Sequence, residues 1–298
     1  MFFTVKFKNK IYFIILLMLC ISLLTCSAAY IIENIDFINV FRSGEELKPK
    51  DSIKLPVIMY HIISKSKTGK YIIKPTQLES DLIYLKNNNF NTITIADLIN
   101  YVHGDGVLPE KPVIITFDDG FVNNLSYGVP LLEKYNMKAV FSVVGYYIEE
   151  YSKIKDHNPI YSYFNWDDVK KLLSLACVEI QCHSYNMHKT GKRAGANKYA
   201  GEPMESYEKI FSDDISKFKE IMKENVDYEA TAFTYPFGAY SAASETVIKK
   251  EGFLSSLTCY EIINYITKDP ACLYELGRFN RSGNISTEEF FKRVLKSY

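Results

Sequence analysis

From Leu55 onward, short apolar runs alternate with stretches of helical period. "LPVIMYH", ending at His61, reads as a strand. Leu78, Leu82 and Leu85 recur at helical spacing behind a capping box of Thr76 and Glu79. "NTITIADLINYV" reads as a strand entering a helix, "VIITF" as a strand, "VPLLEKYN" as a helix and "KAVFSVVGYYI" as a strand. "NWDDVKKLLSLA" is a helix with Asn165 at its N-cap, and "VEIQC" is the next strand. Then come an amphipathic stretch from Met204 to Val226, the strand "ATAFTYP", a helix over 242–250 and the strand "LSSLTC". A last strand near "LYELGRF" precedes a helix capped by Ser286 and Glu289.

Nearly continuous apolar strands alternating with helices predict a parallel sheet covered by helices. About seven such units over residues 53–298 predict a distorted parallel (β/α) barrel. The Gly- and Lys-rich segment from Lys189 to Pro203 has no period and reads as a long solvated loop.

The first 32 residues are different. Lys6, Lys8 and Lys10 precede an uncharged apolar run from Ile11 to about Ile32, the pattern of a signal or transmembrane anchor that leaves the downstream chain outside the cytoplasm. Residues 33–52 are polar and aperiodic, as expected of a linker, and 53–298 form the domain. Lys plus Arg and Asp plus Glu both number 35, so no global field draws the chain to nucleic acid, and a monomer is expected. Outside the anchor run, Cys177, Cys182, Cys259 and Cys272 are too few for a disulfide scaffold; a Cys259–Cys272 bridge is the one pair worth testing.

In a parallel α/β barrel, chemistry sits where strands end. There the chain places Asp118 and Asp119 after "VIITF", His183 and His188 after "VEIQC", "YPFGAY" after "ATAFT", and His61 after "LPVIMY". One carboxylate with two imidazoles is a ligand set for a divalent metal with an open position, and zinc fits it well. A metal lowers the pKa of bound water, and a carboxylate beside it can take the proton. Tyr240 and Trp166 are further candidates, as rings on which sugars stack.

"TFDDG", "HSYNMH" and "YPFG", in this order, resemble the first three motifs of the polysaccharide deacetylases (NodB-homology, carbohydrate esterase family 4), over about residues 55–298. The resemblance implies Asp118 as general base, Asp119, His183 and His188 as metal ligands, and the Phe237 backbone N–H as oxyanion donor. Two features depart from the commonest pattern: the histidines stand five apart rather than four, and no C-terminal Leu-x-His motif is evident. Together with "MYH", they resemble the branch that deacetylates poly-β-1,6-N-acetylglucosamine, in which His61 would be the general acid. The Arg that usually opens the third motif and braces the catalytic Asp is absent; Thr231 to Thr234 stand there, and Arg278 in "LGRFN" is the candidate replacement.

The expected activity is therefore metal-dependent hydrolysis of N-acetyl groups from N-acetylglucosamine residues of an extracellular polysaccharide. The alternatives are a peptidoglycan deacetylase and a non-catalytic, metal-containing carbohydrate-binding protein.

Overall fold

The computed structural model describes residues 52–296. The expected anchor and nearly all of the linker lie outside the described residues, among which no helix is long and apolar enough to cross a membrane.

Eight strands form the main sheet: β1 (Val57–Tyr60), β2 (Asn91–Thr92), β3 (Pro112–Asp119), β4 (Ala139–Val143), β5 (Val178–Cys182), β6 (Ala232–Thr234), β7 (Ser255–Leu257) and β8 (Phe279–Asn280). Seven of them run in the order β7-β6-β5-β4-β3-β1-β8, all parallel, while β2 pairs with the start of β3. The path of seven matches the expected count, with β2 an eighth strand beside it, but the closure differs. The sheet is a half-barrel, and its two ends touch through a single parallel bridge between Leu257 and Leu276. Continuous pairing stops there because the segment expected as one strand, "LYELGRF", is broken at Gly277, whose N–H and C=O are both taken by the Asn264 side chain.

The two faces of the sheet follow the strand period of two. Ile58, Val113, Ile115, Phe117, Ala139, Phe141, Val143, Ile180 and Phe233 point outward into one apolar core beneath the helices. Val57, Ile114, Val140, Ala232 and Leu257 fill the base of the inner face. Further along the same face of their strands stand Met59, Thr116, Asp118, Ser142, Gln181 and Thr234, so the interior turns polar towards the strand ends. Ser142 and Thr234 hydroxyls meet at 2.7 Å across that interior.

Several local expectations are corrected. The first helix, α1 (Pro75–Asn87), starts one residue before Thr76, because Pro75 presets its first turn; Gln77 Oε1 accepts the Lys74 N–H there, and Glu79 instead binds Lys134 and Tyr135. The apolar run after Met137 is strand only to Val143, and from Gly145 it becomes helix α4 (Gly145–Ile154). An antiparallel pair, Ile53–Leu55 with Asn264–Ile266, closes the base of the domain, and its second strand has no counterpart in the sequence pattern. Cys259 and Cys272 are free thiols: Cys259 lies beside Met59 and Arg278, whereas Cys272 faces the Thr267 carbonyl. The remaining helices match the pattern: α2 (Ile95–His103), α3 (Val129–Tyr135), α5 (Trp166–Leu173) with Asn165 capping, α6 (Met204–Val226), α7 (Ala242–Lys250) and α8 (Thr287–Lys296).

Candidate metal centre and its acid–base pair

Alternation places His61 after Met59 and Asp118 after Thr116 on the inner face of two neighbouring strands. Their side chains meet at 3.9 Å, His61 Nε2 to Asp118 Oδ2. The same alternation would point Asp119 outward with Phe117. Instead Asp119 adopts a left-handed backbone, φ 73°, which swings its carboxylate back to the rim. A non-glycine residue held there is strained, and such strain collects where a side chain must be aimed.

His183 leaves β5 on the inner side and His188 returns from the following loop. Asp119 Oδ1 stands 3.5 Å from His183 Nε2 and 3.0 Å from His188 Nε2. His183 Nδ1 donates to the Thr234 carbonyl at 2.7 Å, which fixes the ring and turns Nε2 inward with its lone pair available. Among the described residues, these three form the one group of His, Cys, Asp and Glu side chains with ligand atoms close enough to share a metal ion. Asp119 Oδ1 is buried facing the two imidazole Nε2 atoms without a well-aligned hydrogen bond, and a cation between them would satisfy all three. The donor set of one carboxylate and two imidazoles suits zinc or a neighbouring first-row divalent metal.

Charge shapes both aspartates. Burial by itself would raise the Asp118 carboxyl, but Arg278, His183 and His61 more than offset it and hold its pKa below the usual range. Burial likewise opposes ionisation of Asp119, and the two imidazoles overcome it, so this carboxylate lies far below the usual range. For His61 burial wins: its pKa is lowered despite Asp118 and Asp119.

Arg278 is the residue that completes the pair. It is fully buried; Nη1 donates to Asp118 Oδ1 at 2.7 Å and to Thr116 Oγ1 at 3.2 Å, and Nε donates to the Thr258 carbonyl at 2.7 Å. Phe279 pairs with outward-facing Ile58 and Asn280 with inward-facing Met59, so the period of two carries Arg278 to the inner face.

The Phe237 turn lies beside His188, with ring centroids 4.4 Å apart. Phe237 is itself left-handed, φ 60°. The N–H groups of Gly238 and Ala239 are used within the turn, by the Tyr235 and Pro236 carbonyls, whereas the Phe237 N–H has no acceptor there. Gly238 is required, because a Cβ would fall 2.7 Å from Cys259 Cβ. The segment after His188 braces this turn instead of waving free. Arg193 pairs with buried Glu202, and left-handed Gly195 comes so near Pro236 that a Cβ would sit 2.5 Å from its carbonyl oxygen.

All seven residues expected at the site converge, and six of them, with Arg278 just behind Asp118, line one cavity of about 600 Å³. A larger cavity of about 790 Å³ at the opposite end of the strands holds no such cluster and lies far from this chemistry. Trp166 packs on the core and Tyr240 binds Glu275 and stacks on Tyr235, so neither lines the site. Two positions escape the sequence pattern. The Thr234 carbonyl orients His183, and Asp214 of α6 accepts the Tyr185 and Asn186 N–H groups at 2.8 and 2.7 Å, gripping the loop between both histidines. Neither carries a local signal, since both act across the fold.

A family model described as polysaccharide deacetylase matches residues 105–255. The poly-beta-1,6-N-acetyl-D-glucosamine N-deacetylase of Escherichia coli strain K12 is 25% identical over 242 residues, covering 75% of this chain and 35% of that protein. The enzyme of the same name from Staphylococcus aureus strain MRSA252 is 25% identical over 195 residues, 65% of this chain and 63% of that one. The chain thus spans about a third of the first relative and under two thirds of the second. Among solved structures, IcaB from Ammonifex degensii superposes with a TM-score of 0.66 at 21% identity, covering 82% of this chain and 97% of that one. The de-N-acetylase from Aggregatibacter actinomycetemcomitans gives 0.68 at 22%, covering 81% and 100%. At these identities the superpositions speak for the fold.

Proposed function

This chain belongs to the polysaccharide deacetylase family, and from that premise we propose that it hydrolyses the acetamide of N-acetylglucosamine residues in an extracytoplasmic poly-β-1,6-linked polysaccharide, releasing acetate. The carrying observation is the 3.9 Å juxtaposition of His61 and Asp118 at the edge of the Asp119, His183 and His188 group. A divalent cation held by those three side chains, most simply Zn²⁺, would acidify a water and polarise the acetamide carbonyl.

The chain's own residues supply the rest. Asp118, kept ionised by Arg278, takes the proton of the attacking water. The Phe237 N–H donates to the oxygen as negative charge develops on it. In its protonated form His61, on the other side of Asp118, delivers a proton to the departing nitrogen and returns to the neutral imidazole that burial favours; without that proton the amine could not leave. Two features favour the β-1,6 polymer: the five-residue spacing of His183 and His188, and the origin of the acid on β1. The names of the relatives point the same way. The basic residues before the apolar run at 11–32 support export and a membrane tether.

The test is acetate release by the full chain, with zinc supplied, from β-1,6-linked and β-1,4-linked N-acetylglucosamine oligomers, with Asp118→Asn as control. Release from the β-1,6 oligomer, lost in the variant, is expected. Release from the β-1,4 oligomer alone would move the substrate to peptidoglycan-like chains, and none from either would favour a non-catalytic carbohydrate-binding role.

A further inference from the structure

We propose that the part of the cavity beyond His61, walled by Tyr71, Glu261, Asn280 and Arg293, is a subsite for a second hexosamine ring of the same polymer chain. The inference rests on the deacetylase reading for its direction. If the Phe237 N–H takes the acetamide oxygen and His61 serves the nitrogen, the sugar ring attached to that nitrogen extends past His61. That is where this wall begins: the Tyr71 ring lies 4.9 Å from the His61 ring and is 45% exposed, offering an aromatic surface to a pyranose.

The cavity of about 600 Å³ runs without interruption from Asp118 to Arg293. Pockets of roughly 300–1,000 Å³ bury whole drug-sized molecules, so this one has room for more than the reacting acetamide. The polar groups of the far wall are already held in place. Arg293 Nη1 lies 3.3 Å from Glu261 Oε2, and Nη2 donates to the Asn280 carbonyl at 3.0 Å. The Asn280 N–H donates to Glu261 Oε1 at 3.1 Å, and Asn280 Nδ2 donates to the Lys70 carbonyl at 2.9 Å. This network anchors a planar guanidinium and a carboxylate that both remain partly exposed, at 45% and 36%, with further donors and acceptors for sugar hydroxyls. None of these side chains touches Asp118 or the metal-ligand group, so the acid–base chemistry does not account for them.

The experiment compares the full chain with Arg293→Ala and Glu261→Gln, using N-acetylglucosamine and its β-1,6-linked trimer. It measures acetate release and, by calorimetry, binding of each sugar. The trimer-to-monomer ratio of kcat/KM is expected to fall about tenfold in each variant, the scale of one charge-assisted hydrogen bond. Equal losses on both sugars, or an unchanged ratio, would overturn the subsite. Should the wild type release acetate from neither, the deacetylase reading fails alone and calorimetry decides: a trimer affinity about tenfold weaker relative to the monomer's supports the subsite, and an unchanged one removes it. Glu261→Gln keeps the side-chain shape and carries the test if Arg293→Ala proves unstable.

Discussion

Arg278 Nη1 donates to Asp118 Oδ1 at 2.7 Å, and both side chains are sealed from solvent. The residue just before β8, one strand away from β3, thus delivers the brace that the third sequence motif lacks. Arg278→Met leaves Asp118 as an uncompensated buried charge, which costs about 3–5 kcal/mol when one partner of such a pair is removed. The carboxyl then protonates more readily, so the acid limb of the pH–rate profile should move upward and kcat/KM at neutral pH should fall roughly a hundredfold. Arg278→Lys should recover part of both. Acetate-release assays across pH read this, and unchanged turnover in Arg278→Met would remove Arg278 as a positioning residue.

Metal loading should stabilise the fold. A ligand bound only by the native state adds about 2.7 kcal/mol at a hundredfold excess over Kd, which is roughly 5–10 °C in Tm for a domain of this size. Differential scanning calorimetry with zinc and then with a chelator should show that rise and its reversal. Asp119→Asn should abolish most of it, because it weakens the carboxylate that both imidazoles face at 3.0 and 3.5 Å.

Asp214 couples the loop between the histidines to pH. Burial pushes its pKa up to about 6, against the two backbone N–H groups that favour its ionised form. The folded value lies above the unfolded one of about 3.9, so the folded state holds the proton more tightly. Its stabilising contribution is therefore complete below the unfolded value and lost as pH rises through about 6, roughly 2–3 kcal/mol in all. Urea unfolding of the metal-free protein between pH 4 and 7 should show this slope, and Asp214→Asn should flatten it. The same variant should also weaken zinc binding about tenfold, by loosening the loop that carries His188.

Behind the site, Arg281 forms a two-bond pair with Asp81, both fully buried, and Tyr60 and Thr287 hydroxyls donate to the same carboxylate. This cluster ties α1, α8 and the end of β8 to the residue preceding His61. Asp81→Asn should cost about 3–5 kcal/mol in chemical denaturation, because Arg281 is then left charged in the interior. A loss under 1 kcal/mol would show that the cluster is solvated in solution.

Much of this is legible along the chain. The "VIITFDD" run names its strand and its two acids, since a continuous apolar stretch ending in carboxylates has few uses inside a parallel sheet. The histidines and the Phe237 turn come after strands of the same kind. The loop between Lys189 and Pro203 reads as free along the chain and is not, because the Arg193–Glu202 pair and the Gly195 contact with Pro236 join residues whose proximity has no periodic signature. A Cys259–Cys272 bridge is suggested by count alone, and only position shows that Cys259 turns towards Arg278 while Cys272 turns away.

By itself the sequence determined the order of strands and helices and the residue types delivered to the strand ends. Period and motif are local properties, written in neighbours along the chain. Tertiary structure alone decided the rest: that Arg278 reaches Asp118, that Asp214 grips the loop between the ligands, that the half-barrel closes through one bridge, and that Asp119 turns back at φ 73°. Each of these depends on which distant segments pack side by side and on the strain that packing can hold, and neither is encoded in any single stretch.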